Sequence, residues 1–261
     1  FTRQEFTVDR TDGTTKLISF NGRPATHPDV IGRFDFDATS GVLENGEPDM
    51  FYRNIGDGRF EAVPWSGGMF LNDKGEPVAE PYDWGLAAMF HDINGDRFPD
   101  LYVCNDFQSP DRIWINDGKG RFTSIPDNAV RQTSLFSMGV DFADINGDGL
   151  IDGFVADMLS PSHALRQVQV MDATAFTQYR SAMSERPQYS RNSLYLNRGD
   201  NTYAEISRFA GIDASDWSWC PIFMDVDLDG YPDLLVTTGH WRDAQNADVA
   251  MEVETAMRAG G

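Results

Sequence analysis

The sequence predicts an all-β fold assembled from repeated units of about 50 residues. Three Asp-rich segments each run directly into a strand-like segment, and three segments with the pattern of a β-hairpin alternate with them. The composition agrees, because 24 Gly and 13 Pro favour turns, whereas 18 Phe, 8 Tyr and 6 Trp favour strands. At 261 residues and 41% hydrophobic, the chain is able to bury a substantial core.

The Asp-rich repeat reads DINGDRFPDLYV from Asp92 to Val103, DINGDGLIDGFV from Asp144 to Val155, and DVDLDGYPDLLV from Asp225 to Val236. In each copy an acid at position nine precedes apolar residues that favour β-structure. A strand is therefore expected to begin as the loop ends.

The hairpin repeat reads MFYRNIGDGRF from Met50 to Phe60, RIWINDGKGRF from Arg112 to Phe122, and SLYLNRGDNTY from Ser193 to Tyr203. Alternating apolar residues lead into a turn that begins with Asn and contains Gly, and an aromatic residue follows the turn, which indicates a β-hairpin. In two copies the hairpin Asn lies 28 residues before the next Asp loop, so the repeats form one larger unit. The first of these sequence repeats holds about ten more residues, which we place at 65–81.

Repeated all-β units of this size are typical of a β-propeller, in which each blade has about four strands. The Asp loops begin 52 and then 81 residues apart, so about 30 residues are inserted at 158–189. We predict a partial β-propeller of four-stranded blades, with about four blades present and residues 1–261 forming a single propeller portion. Residues 1–40 are interpreted as the end of a preceding blade.

Two segments favour helix. In the insertion, Ser160 and Pro161 predict a helix start, and residues 164–183 have no interior Gly or Pro. The tail, residues 244–261, also has a helical composition.

The Asp loops have the chemistry of a calcium site, because Ca²⁺ prefers six to eight oxygen ligands and alternate residues of a short loop supply them. The predicted ligands are Asp92, Asn94, Asp96, the Phe98 carbonyl and Asp100; Asp144, Asn146, Asp148, the Leu150 carbonyl and Asp152; and Asp225, Asp227, Asp229, the Tyr231 carbonyl and Asp233. The sequence therefore predicts about three Ca²⁺ sites.

An EF-hand is the rival interpretation of these loops. It requires a Glu at position 12 and flanking helices, but position 12 is Val103, Val155 and Val236, each within a strand-like run. The first loop has Arg97 at position six, where Gly149 and Gly230 tolerate a left-handed turn. We therefore expect a weaker first site or a differently shaped turn there.

Charge and motifs exclude several functions. A net charge of −20 argues against nucleic-acid binding, which requires Lys and Arg. No apolar run reaches the ~18 residues of a membrane span. Cys104 and Cys220 form either a disulfide or two separate buried thiols. No nucleophile-elbow, zinc-protease or phosphate-loop motif occurs, which favours a protein that is not an enzyme.

The two repeats together resemble the FG-GAP or VCBS repeat, which also builds the integrin α-chain propeller. Residues 155–160, 186–189 and 216–219 resemble bacterial proteins related to cartilage acidic protein, which often end in an ASPIC/UnbV domain. The resemblance covers residues 33–243. It implies a propeller of about seven blades, calcium in the blade loops, export from the cytoplasm, and adhesion or binding rather than catalysis.

We therefore expect an exported calcium-binding propeller that serves as a non-enzymatic adhesion, ligand-binding or assembly module, located extracellularly, at the cell surface or in the periplasm. A calcium-dependent polysaccharide lyase or glycosidase is one alternative, and a structural subunit of a larger surface or periplasmic complex is another. The expected partner is a protein or a glycan, or another chain that completes the ring. The insertion at 158–189, which carries Arg166, Arg180, Arg186 and Arg191 nearby, is either a partner-binding surface or a packing cap.

Overall fold

The structure is a computed structural model that describes residues 5–11, 15–28, 30–37, 41–107, 109–169, 186–239 and 246–259. The chain divides into two compact units, one formed by residues 1–64 and 79–84 and the other by residues 65–78 and 85–261. The described residues are mostly strands with few helices, so the all-β class is confirmed.

The first unit contains three small antiparallel sheets. They are β1 (Phe6–Asp9), β2 (Lys16–Phe20) and β3 (Arg23–Pro24); β4 (Phe34–Asp37) with β5 (Gly41–Glu44); and β6 (Phe51–Gly56) with β7 (Arg59–Val63). The core of this unit is formed by Phe20, Val30 and Phe34. The Arg33 guanidinium lies 5.5 Å from the Phe34 ring centroid and forms an ion pair with Glu44 at 2.9 Å. A paired cation therefore packs against this small core.

The second unit begins with a five-stranded sheet in the order β8-β12-β11-β10-β9. Its strands are β8 (Phe70–Leu71), β9 (Gly85–His91), β10 (Asp100–Asn105), β11 (Arg112–Asn116) and β12 (Phe122–Ser124). Strands β9 to β12 form an antiparallel meander, and β8 adds to β12 in parallel.

A four-stranded meander follows, in the order β14-β15-β17-β18. Its strands are β14 (Gly139–Ala143), β15 (Asp152–Ala156), β17 (Ser193–Asn197) and β18 (Tyr203–Glu205). A short parallel pair consists of β13 (Thr133–Ser134) and β16 (Gln188–Tyr189), and a last antiparallel pair consists of β19 (Ser218–Met224) and β20 (Asp233–Thr238).

The successive sheets of the second unit pack face to face. Side chains alternate along β15, because neighbouring residues of a strand point to opposite faces. Val155 joins the core shared with the five-stranded sheet, whereas Phe154 and Ala156 pack against Phe223 of the β19–β20 pair. At Gly139 an added Cβ would lie 2.6 Å from the Trp219 carbonyl oxygen, so the close approach of β14 to β19 requires glycine.

The described helices are short, apart from the last. They are α1 (His163–Arg166), α2 (Ser207–Ala210) and α3 (Ala247–Ala259), with a 3-10 turn at Trp65–Gly67. The N-cap of α1 is Ser162, whose hydroxyl accepts from Leu165 N, so the predicted start at Ser160 and Pro161 is wrong by two residues. Ser160 instead is buried and its hydroxyl accepts from Ser162 N at 3.2 Å.

The predicted helix over 164–183 does not extend through residues 167–169, because Gln169 forms a β-bridge with Asn246. Residues 170–183 of that prediction lie outside the described part of the chain. Helix α3 falls within the tail, 244–261, where the sequence predicts a helix. No helix among the described residues has both the length and the apolar character needed to cross a membrane.

The three predicted hairpins correspond to β6–β7, β11–β12 and β17–β18. No sheet closes on itself within the described ranges. The number of blades and the single propeller portion across residues 1–261 therefore stay predictions.

Candidate functional site: the aspartate loops

Each Asp loop connects two consecutive antiparallel strands of a sheet in the second unit. The loops at 92–100, 144–152 and 225–233 join β9 to β10, β14 to β15 and β19 to β20. The acid at position nine is the first residue of the following strand in all three. Strands flank every loop, so the EF-hand is excluded by the structure as well as by the sequence.

The position-one carboxylate organises each loop by accepting backbone hydrogen bonds. Asp92 Oδ1 accepts from Gly95 N at 2.8 Å and Asp96 N at 3.0 Å, and its Oδ2 accepts from Arg97 N at 2.8 Å. Asp144 repeats all three bonds, and Asp225 accepts from the amides of positions five and six. The three loops therefore share one backbone shape, set by their own side chains.

Positions three, five and seven extend the same pattern. The side-chain oxygen of position three accepts from the position-five amide, and the position-five carboxylate accepts from the position-seven amide. The pairs are Asn94 to Asp96 to Phe98, Asn146 to Asp148 to Leu150, and Asp227 to Asp229 to Tyr231. In the third loop the acids of positions one, three and five converge, whereas Asp233 and the acids of the first two loops do not join such a group among the described residues.

Two loop positions are left-handed, and each is occupied by a residue other than Gly in one loop. At position six Arg97 has φ +73°, close to the +83° of Gly149, so the differently shaped first turn is not observed. At position four Gly95 and Gly147 are left-handed, and Leu228 adopts φ +62° in the third loop. The backbone strain expected only at Arg97 therefore has a counterpart at Leu228.

The position-nine carboxylate joins its loop to the hairpin that follows. Asp152 is fully buried and accepts from Ile145 N at 3.0 Å and from Asn197 N at 2.7 Å. Asp100 repeats this bridge with Ile93 N and Asn116 N. Burial raises the pKa of both carboxyls. Asp233 differs, because it is exposed and accepts from Val226 N at 3.2 Å.

Sequence reasoning missed the role of the hairpin Asn residues. Asn116 Nδ2 donates to the Pro99 carbonyl at 2.9 Å and its Oδ1 accepts from Gly118 N, and Asn197 makes the same two bonds with Ile151 and Gly199. One Asn thus fixes the hairpin turn and ties it to the end of the Asp loop. The recurrence of Asn at one place in all three hairpin repeats was the signal for it.

The donor set fits a hard cation. Ligand oxygens of Asp225, Asp227 and Asp229 all lie within 4.8 Å of one another, a density of negative charge that a divalent cation would neutralise. In the first two loops an Asn stands at position three, and its Nδ2 donates to the position-five carboxylate at 3.0 Å. That amide relieves part of the repulsion, so the third loop has the strongest electrostatic need for a cation.

Three of the four arginines in or near the insertion make contacts within the fold. Arg186 is buried, donates to the Ile125 carbonyl at 2.8 Å and lies 3.4 Å from an Asp127 oxygen. Arg191 forms an ion pair with Glu205 at 2.7 Å, and Arg166 donates to the Ser160 carbonyl. These contacts favour the packing role over the partner-binding surface. Arg180 lies outside the described residues.

A second group of carboxylates lies at the strand ends opposite the Asp loops. Asp111 is buried and accepts from Tyr102 Oη at 2.6 Å, Ser137 Oγ at 2.8 Å and Asn105 N at 2.9 Å. Burial raises its pKa to about 7 and that of the buried Asp157 to about 6. Ligand oxygens of these acids do not converge as those of the third loop do, so they are structural hydrogen-bond acceptors. The two cysteines are free thiols, with Cys104 buried and Cys220 exposed.

Two segments of the chain are similar to the FG-GAP-like repeat. A family model described as an FG-GAP-like repeat matches residues 92–155 and 182–236, and these two segments include all three Asp loops. Repeats of this kind suggest a β-propeller-like ligand-binding module. A search of curated proteins finds no match to the chain.

Proposed function

We propose that this protein is an exported calcium-binding module of the β-propeller type that binds a ligand or partner without catalysing a reaction. The observation that carries the calcium proposal is the shared geometry of the three loops, above all the three carboxylates of Asp225, Asp227 and Asp229 within 4.8 Å of one another. Three equivalent loops, each filled with hard oxygen donors, are better matched to Ca²⁺ than to softer metals.

The proposed ligands are the position-one, -three, -five and -nine side chains together with the position-seven carbonyl of each loop. The carboxylates already accept hydrogen bonds from backbone amides. These bonds do not exclude a cation, because each carboxylate oxygen has two lone pairs. The loop geometry is therefore largely formed by the chain, and the cation would offset the repulsion among the acids.

Isothermal titration of calcium into protein stripped with EDTA tests this proposal. We expect about three sites in the intact protein, and about one fewer in an Asp229→Asn variant, because position five is Asp in all three loops. Asp57→Asn serves as the control, since Asp57 lies in the exposed turn between β6 and β7 and its substitution changes the net charge equally. No heat of binding, or loss of a site in both variants, would overturn the calcium assignment.

We also propose a glycan or a protein as the ligand, with adhesion or assembly as the biological role. An aromatic pair at the surface favours the glycan, because Trp219 is 45% exposed and its ring centroid lies 6.4 Å from that of Trp217. A glycan array on wild-type protein and a Trp219→Ala variant tests it, and binding unchanged by the substitution would reject this surface.

A polysaccharide lyase or glycosidase on the same scaffold is the alternative function, and its test is product formation. Incubation with the glycans bound on the array, followed by mass spectrometry, would reveal cleavage if the protein is an enzyme. We further propose the closer relationship to cartilage-acidic-protein-like bacterial proteins, and a location outside the cytoplasm, on the basis of the motifs at 155–160 and 216–219.

A further inference from the structure

A cavity of about 530 Å³ lies in the second unit, between its five-stranded and four-stranded sheets. Its walls are mainly apolar, with Ile113, Ile115 and Ile125 on one side and Phe142 on the other. The volume lies within the range of about 300–1,000 Å³ that small-molecule sites occupy. The cavity is therefore large enough to hold an organic ligand.

The tyrosine hydroxyls of the cavity wall already donate hydrogen bonds within the protein. Tyr102 Oη donates to Asp111, Tyr195 Oη donates to the Gln132 carbonyl at 3.1 Å, and Tyr203 Oη donates to the Ile93 carbonyl at 3.4 Å. The tyrosines thus present their rings to the space rather than free hydroxyl protons. The isoleucine, phenylalanine and tyrosine side chains of the wall are well matched to an aliphatic or aromatic body.

A second cavity, of about 240 Å³, is lined by Arg131, Arg198 and Glu205 and shares Tyr195 and Tyr203 with the first. Tyr195 pairs with Glu205 across the β17–β18 hairpin, and Asn197 pairs with Tyr203, so both tyrosines point to one face. The two cavities therefore lie side by side against the same face of one hairpin, one apolar and one polar.

The charges of the smaller cavity favour an anion. The Glu205 carboxylate forms an ion pair with Arg191 at 2.7 Å and accepts a hydrogen bond from Gln132 Nε2 at 3.1 Å. These contacts offset its negative charge. Arg131 and Arg198 are exposed, and no carboxylate among the described residues forms an ion pair with either guanidinium. These two cations stand out in a chain with a net charge of −20.

The acids of the larger cavity lie at its own rim. They are Asp73 and Asp200, and Asp200 already accepts from Thr202 N at 3.0 Å and from Thr202 Oγ1. Hydrogen bonds from Thr202 and the nearby Arg198 charge lower the pKa of the Asp200 carboxyl, so Asp200 offsets part of the Arg198 charge. An anionic group would be repelled from Asp73 and attracted most strongly to Arg131. Because exposed charges are screened beyond about 8–10 Å at moderate salt, the local pair matters more than the net charge.

We propose that the two cavities form one site for an amphiphilic anion, namely a molecule with an alkyl or aryl body and a carboxylate or sulfonate head. The body would occupy the apolar cavity beside Ile115 and Phe142, and the head would lie at Arg131 and Arg198. Neither arginine belongs to an Asp loop, but Ile93 and Asn94 of the first loop line the apolar cavity, so calcium is held constant in the test.

Fluorescence of 1-anilinonaphthalene-8-sulfonate, an aryl sulfonate, provides the direct test in calcium-containing buffer. We expect saturable binding to the native protein, displacement by dodecanoate, and weaker displacement by dodecanol, which has the same chain without the charge. The Arg131→Gln/Arg198→Gln variant should lose about three- to tenfold in affinity for the probe, the range that two exposed charge pairs supply.

The matched control is Arg59→Gln/Arg121→Gln, which removes the same charge at exposed arginines that line neither cavity, and it should leave the affinity unchanged. Thr123→Trp should abolish binding by filling the apolar cavity, and Thr123→Phe is a milder variant if the larger ring prevents folding. Near-ultraviolet circular dichroism checks that each variant is native. Equal displacement by dodecanol and dodecanoate, equal loss in the two arginine variants, or full binding by a folded Thr123→Phe variant would overturn the proposal.

Discussion

Replacing Asp152 with Asn tests whether the position-nine carboxylate holds its sheet together independently of metal. In the wild type both oxygens accept buried backbone amides, those of Ile145 and Asn197. Asn keeps one acceptor and places an amide nitrogen where the other oxygen was, so one buried N–H loses its partner. A stranded buried donor costs about 1–3 kcal/mol, and the remaining bond loses its charge assistance.

Part of that loss is offset. Burial raises the pKa of Asp152, so removing its charge returns part of the desolvation penalty. The net expectation for Asp152→Asn is a fall of about 2–3 kcal/mol in the free energy of unfolding without metal. Asp233→Asn is the matched control, because Asp233 is exposed and accepts only one described amide, and it should cost less than about 1 kcal/mol.

Urea unfolding followed by tryptophan fluorescence, in EDTA and again in excess calcium, measures both variants. In EDTA the two should differ by about 2 kcal/mol. In calcium, the difference in free energy of unfolding between the wild type and Asp233→Asn should grow by about 2–3 kcal/mol if free calcium is about a hundredfold above the dissociation constant. The reason is that the variant loses the stabilisation from the bound ion. Equal destabilisation of the two variants in EDTA would refute the bridging role of Asp152.

Four further substitutions probe other features of the second unit. Leu228→Gly and Arg97→Gly should each raise the free energy of unfolding by up to about 1 kcal/mol, because both residues hold left-handed conformations that suit Gly; urea midpoints that fall would contradict this. Gly139→Ala should lower it by about 1–3 kcal/mol through the clash with the Trp219 carbonyl, and an unchanged midpoint would show that the strands can separate. The raised pKa of Asp111, about 7, means that the folded state takes up a proton before the unfolded state does, so this group adds stability as the pH falls from about 8 towards 5. In EDTA the wild type should therefore gain about 2 kcal/mol more over that range than Asp111→Asn, measured by urea unfolding at each pH.

Most of the correct predictions came from local sequence patterns. The hairpin turns and the loop-to-strand junctions were read correctly, because both depend on residues close in sequence and on turn chemistry. The start of α1 was wrong because Ser160 and Ser162 are both competent caps, and tertiary burial of Ser160 decided between them. The hydrogen bond between Asp152 and Asn197 joins residues 45 positions apart, so no local sequence pattern predicted it.

The loops differ in how much their shape depends on a cation. In the second loop the position-one acid, the position-three amide and the buried Asp152 all have protein partners, so the chain itself fixes most of the geometry. The third loop has Asp227 where the others have Asn, strain at Leu228, and an exposed Asp233. Under the proposed calcium function, the cation would therefore contribute most to the β19–β20 pair. That pair packs on the four-stranded sheet through Phe223, so an ion bound in one loop would stabilise the interface between two sheets.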